Sequence, residues 1–185
     1  MKLSAALRLF AFFALPTFVT SIPLLDSVDD GYVSVTAKRL NGQNLDKRQL
    51  SDTMVNVVNA ITVFADEYNY YHGYSRAEFT QNIVQAIYNY YPHFNYIICH
   101  DAVVHDSNFP GPVGVNSYDV QVTYDKAPTP FNNPPVFDVV IGTNGTFTRY
   151  GDGGYINWAY IGNVIDAQDV TKPHRARVVT FGTPN

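Results

Sequence analysis

The sequence predicts an α+β fold, with an N-terminal helical hairpin packed on one face of an antiparallel meander sheet of five to six strands. Two stretches beginning at Ser51 and Ser75 place apolar residues at the three-and-four spacing of a helix with one buried face. From Phe94 onward the spacing changes to that of strands. Short turn signals, Asn144-Gly145 foremost, separate consecutive strands, and neighbours in sequence tend to pair. Helices covering one face of such a sheet give a domain of two layers.

Two segments precede that domain. Residues 1–21 have the parts of a secretory signal peptide: Lys2 and Arg8, the apolar run Leu9 to Leu15, and the small residues around Val19-Thr20-Ser21. The run is shorter than the ~20 residues a membrane span needs, and Pro16 interrupts its continuation. Residues 22–48 show no apolar period and too little apolar surface to offset the entropy of ordering. They contain the dibasic pairs Lys38-Arg39 and Lys47-Arg48. This stretch resembles the pro-segments that kexin-type proteases remove in the fungal secretory pathway, with Lys47 and Arg48 as the processing site; the alternative is an unordered N-terminal arm that stays attached, its basic pair merely solvated. The mature domain is then residues 49–185, a single-domain length of 137 residues.

In the mature domain, Ser51 or Asp52 caps the first helix. Met54, Val57, Val58, Ile61, Phe64 and Tyr68 form its buried face, and His72-Gly73 ends it. Ser75-Arg76-Ala77-Glu78 matches a capping box. Phe79, Ile83, Ala86, Ile87 and Tyr90 form the second face, until Pro92. Phe94 to Val104 is a long apolar run, and 107–112 reads as a proline-bearing loop. Tyr118, Val120, Val122 and Tyr124 alternate with polar residues as a half-buried strand. Phe137 to Ile141 and Thr146 to Tyr150 flank Asn144-Gly145 as a hairpin with a type I′ turn. Gly151 to Gly154 turns the chain again, into Tyr155 to Ile161, and Ala176 to Phe181 supplies a sixth strand.

Composition excludes some classes. Residues 49–185 hold 6 basic and 12 acidic residues, a net charge of −6, which argues against a phosphate-neutralising nucleic-acid binder. Cys99 is the sole cysteine, so no internal disulfide forms. In its apolar run it reads as a buried thiol, with an intermolecular disulfide or a reactive nucleophile as the alternatives.

Candidate chemistry is sparse. Tyr68-Asn69-Tyr70-Tyr71 and Tyr88-Asn89-Tyr90-Tyr91 repeat one tetrad, so Tyr70, Tyr71, Tyr90 and Tyr91 form a candidate binding surface, with Trp158 on a later turn. The alternative is that both helix ends simply pack on the sheet. His100-Asp101 and His105-Asp106 pair imidazole with carboxylate, as tuned acid–base sites do, but an offset of five puts the rings on opposite faces of one strand. His72, His93 and His174 complete no zinc pattern, and the sequence implies neither metal nor cofactor. Asn144-Gly145-Thr146 is a glycosylation acceptor, at Asn144.

The signal, Lys47-Arg48, the Ser75-Arg76-Ala77-Glu78-Phe79 helix start and Gly151-Asp152-Gly153-Gly154-Tyr155-Ile156-Asn157-Trp158 together resemble small secreted fungal proteins of unknown function, of the effector-candidate type. The resemblance covers residues 49–185 and brings no catalytic residues. The export signals, the lack of convergent catalytic groups and the absence of a further long apolar stretch point to a secreted, extracellular, non-enzymatic binding protein, effector-like, with a protein or glycan partner outside the cell and no membrane insertion of the mature form. The alternative from the residues is a small ribonuclease-like hydrolase built on His100, His105 and Arg149.

Overall fold

Ser51 opens the first helix, α1 (Asp52–Tyr71): its Oγ accepts the Met54 N–H at 3.2 Å and its carbonyl accepts the Val55 N–H at 2.9 Å. Ser75 does the same for α2 (Arg76–Tyr90), its Oγ accepting the Glu78 N–H at 3.4 Å. The structure is a computed structural model that describes residues 50–71, 75–125, 134–151, 157–171 and 175–185, all within the unit Ser34–Asn185. The expected signal peptide and the pro-segment, with Lys47 and Arg48, lie outside the described residues.

Met54, Val57, Val58, Ile61 and Tyr68 of α1 and Phe79, Ile83 and Ile87 of α2 are buried, as their spacing predicts. Phe64 is half-buried, and Tyr90 is turned outward, against the expectation that both belong to the buried faces. Among the described residues, no helix is long and apolar enough to cross a membrane.

Among the described residues, eight strands follow: β1 (Asn95–His100), β2 (His105–Asn108), β3 (Ser117–Thr123), β4 (Val136–Gly142), β5 (Gly145–Tyr150), β6 (Trp158–Ile161), β7 (Val164–Val170) and β8 (Ala176–Phe181). They form two antiparallel four-stranded sheets, in the orders β3-β4-β1-β6 and β2-β5-β8-β7. The expected single meander is therefore replaced by two sheets. Only β3–β4 and β7–β8 pair with their sequence neighbours; every other connection between the described strands carries the chain across to the other sheet. Asn144-Gly145 does turn the chain, but β4 and β5 on either side of it lie in different sheets. It is a corner between sheets, not a hairpin. Ser107 and Asn108, expected in a loop, belong to β2, and β7 has no counterpart in the sequence reading.

The first sheet is buried on both faces, as a near-continuous apolar strand requires. Alternate residues of β1 show this directly. Tyr96 and Ile98 share a cluster with both helices, β3 and β4, whereas Ile97 and Cys99 share another with Phe147, Val179 and Phe181 of the second sheet. The expected two layers thus become three: helices, first sheet, second sheet. Phe79, fully buried, contacts Tyr68 at 5.4 Å, Tyr124 at 4.9 Å and Phe137 at 5.4 Å, so one ring joins α1, α2 and the first sheet. The Asn69 amide adds a polar tie, donating to the Thr123 carbonyl at 2.7 Å and accepting the Asp125 N–H at 3.1 Å.

Asn95 holds the corners. Its side chain is fully buried, and Oδ1 accepts the Asn163 N–H at 2.8 Å, in the link from β6 to β7. Nδ2 donates to the Gly182 carbonyl at 3.0 Å and to the Thr143 carbonyl, in the link from β4 to β5. We expect Asn95→Ala to remove three hydrogen bonds to backbone groups and to cost on the order of 2–4 kcal/mol in denaturant unfolding. Gly145 has φ 151°, and a Cβ there would overlap the Asn108 carbonyl oxygen. Gly145→Ala should therefore lower the unfolding midpoint, whereas Gly151→Ala, which meets no neighbouring atoms, should lower it less.

Candidate functional site

Several buried polar groups, Asp119, Asp138 and Arg149 among them, lie on strands of the two sheets. β2 and β5 pair in a register that sets His105 opposite Arg149. Asp138 of β4 faces them from the first sheet: its Oδ2 lies 3.7 Å from His105 Nε2, and its Oδ1 accepts from Gln121 Nε2 of β3 at 2.9 Å. Asp138 is 1% exposed, so its carboxyl group finds its partners inside the protein. His105 Nδ1 meets the Val103 carbonyl at 2.9 Å, and the ring stacks on Phe147 at 5.3 Å. Both ring nitrogens are thus directed at oxygen atoms of the protein. Arg149 is buried, with its guanidinium 5.0 Å from the centre of the Trp158 ring, a cation–π contact inside the sandwich.

His100 occupies the other face of the first sheet. It follows Tyr96 and Ile98 in the alternation of β1, and its ring sits edge-on to Phe137 at 5.3 Å. Its Nδ1 accepts the Ala102 N–H at 3.1 Å and lies 3.4 Å from Asp101 Oδ1. A nitrogen that accepts a hydrogen bond carries no proton, so the contact with Asp101 is no ion pair while the ring is neutral. Burial pushes the imidazole below its ordinary 6.5, reinforced by Arg76 and opposed by Asp101 and Asp138. Of the three residues expected for acid–base chemistry, the fold brings His105 and Arg149 together and leaves His100 apart.

The expected binding residues are dispersed. Tyr70 is 76% exposed and Tyr90 55% exposed. Tyr68, two residues before Tyr70, meets Phe79 at the start of α2, while Tyr90 lies at the far end of that helix, about 16 Å along its axis, against Phe64. Tyr91 closes α2 and packs on Phe94 at 5.8 Å, its carbonyl accepting the Tyr96 hydroxyl at 2.7 Å. The side chain of Tyr71 lies outside the described residues. Trp158 is turned inward, stacked on Phe147 at 6.3 Å and 5.0 Å from Tyr160. Asn144 is exposed at the corner between the sheets, and Cys99 is fully buried between them.

Sequence reasoning missed Asp119, Gln121 and Asp138. Asp138 carried a signal: a carboxylate inside the apolar run Phe137 to Ile141 requires a buried polar partner. Among the described residues, no group of three or more His, Cys, Asp or Glu side chains is arranged to hold a metal ion. Comparison with known proteins finds no matching family model, no matching curated protein and no matching solved structure.

The depressed His100 titration has a consequence for stability. A histidine whose folded-state value lies below 6.5 resists a proton that the unfolded chain accepts, so stability is lost as pH falls through that value. Denaturant unfolding across this range should show a steeper acid-side loss for the unmutated protein than for His100→Gln.

Proposed function

We propose that the mature domain is an exported, non-enzymatic binding protein, effector-like, that holds an extracellular or host partner. The observation that supports this over catalysis is the separation of His100 and His105 by the first sheet. Cleaving a phosphodiester calls for an acid and a base converging on one substrate. Here one imidazole lies on the helix side and the other points at a buried carboxylate. Arg149 is turned into the sandwich against Trp158, away from any phosphate outside. In this reading the two helices act as a hairpin that braces the first sheet, and Tyr70 and Tyr90 supply exposed aromatic contact area. Export itself rests on the signal and dibasic site of the sequence.

The second reading, a ribonuclease-like hydrolase, retains one favourable feature: His105 and Arg149 stand opposite each other with Asp138 behind the imidazole. Incubating RNA with the processed protein decides between the two. We expect no turnover from folded protein. Turnover that disappears in His105→Ala would replace the binding reading with the hydrolase.

A further inference from the structure

The sandwich is open along one side. β3 is an edge strand of the first sheet and β2 of the second, and a cleft of about 80 Å³ lies between residues of the two. That volume is far below the several hundred Å³ of a nucleotide or drug-sized site, and suits a single side chain.

The lining divides by chemistry. Phe109, Val113 and Val140 supply apolar surface, and Ser107, Asn108 and Ser117 supply polar groups beside Asp119. Asn108 is exposed, whereas Ser117, Asp119 and Val140 are buried, which sets the carboxylate at the inner end and the amide at the mouth. Asp119 is the one charged residue of the lining and is 8% exposed. Anions gain nothing from such a lining. An ammonium group on an unbranched alkyl stem fits it throughout: three N–H donors for carboxylate and hydroxyl oxygens, and methylenes for the apolar walls. The broad, planar fork of a guanidinium suits a narrow cleft less well.

The walls are fixed before any ligand arrives. The Phe109 ring lies over Gly142 and Gly145, where a Cβ would overlap it, and Gly114 N–H donates to the Ser117 carbonyl at 2.7 Å. Preformed walls lower the entropy lost on binding. The net charge of −6 on residues 49–185 also draws cationic partners toward the domain.

The geometry points to a lysine-binding cleft between β2 and β3, in which the domain takes up one lysine side chain of its partner protein through Asp119. This rests on the binding-protein reading above and names the chemistry of its partner. The test uses the processed protein and three probes: the Nα-acetyl N-methylamides of lysine, arginine and norleucine, followed by amide NMR. The lysine probe should give saturable shifts at Ser107, Ser117, Asp119 and Val140. Norleucine, with the same stem but no charge, should bind about tenfold more weakly or worse, as should arginine. Asp119→Asn should remove the lysine response. Absence of saturable shifts, equal response to norleucine, or a response that survives Asp119→Asn would overturn the proposal. The contrast between lysine and norleucine is read on the unmutated protein, so it stands even where Asp119→Asn does not fold. RNA turnover would instead remove the binding-protein reading, and the two failures are separately visible.

Discussion

Two links between strands and the end of a third strand meet on one buried amide. Asn95 begins β1, the strand at the heart of the first sheet, and its side chain bonds the link from β4 to β5, the link from β6 to β7 and the end of β8. A chain that alternates between two stacked sheets must cross the gap repeatedly, and each crossing strips backbone groups of their ladder partners. At the end of a sandwich, side chains can supply the partners such groups lack. Asn95 does so for two crossings at once, and Gly162, where a Cβ would overlap its Oδ1, leaves it room. Two of the links that carry the chain from one sheet to the other are held by that arrangement.

The legible parts of the fold were those set by local chemistry. The helix starts at Ser51 and Ser75 were readable because a cap is a contact between residues three apart. The alternation of β3 and the apolar run of β1 were readable as strands for the same reason. What the sequence could not display was pairing. Asn144-Gly145 specifies a turn but not the partner of the next strand, and here β5 pairs with β2 and β8 instead of β4. β2 and β7 escaped because edge strands of a solvent-facing sheet carry little apolar pattern: His105-Asp106-Ser107-Asn108 and Val164 to Val170 are mostly polar or exposed.

The same omission hid the site. With one sheet and one helical layer, Asp119 and Gln121 face water, and nothing about them calls for comment. Adding the second sheet covers that face, so that Asp119 is buried and Gln121, half-buried, donates to Asp138. His105 is the complementary case. Its residue type was noted as chemically capable, but its direction follows from a strand and a sheet that only long-range pairing creates. Residue identity was available from the sequence; convergence was not.

The interior between the sheets is graded from one side to the other. Around β1, β5 and β8 it is aromatic and aliphatic, with Ile97, Phe147, Val179 and Phe181 in one cluster. Toward β2 and β3 it changes to serine, asparagine and aspartate, and the close packing gives way to a cleft. A closed apolar edge would have added burial and stability at about 25 cal/mol per Å². The chain instead places a carboxylate there, between strands whose positions are fixed by the corner glycine and by Phe109. The two oxygens of a carboxylate offer about four acceptor positions, so interior partners can hold it in place and still leave capacity for an ammonium entering from the mouth. Away from bulk water that charge-assisted bond is stronger than it would be on an open surface. The feature that weakens the edge as a core is the same one that lets it distinguish one kind of side chain from another.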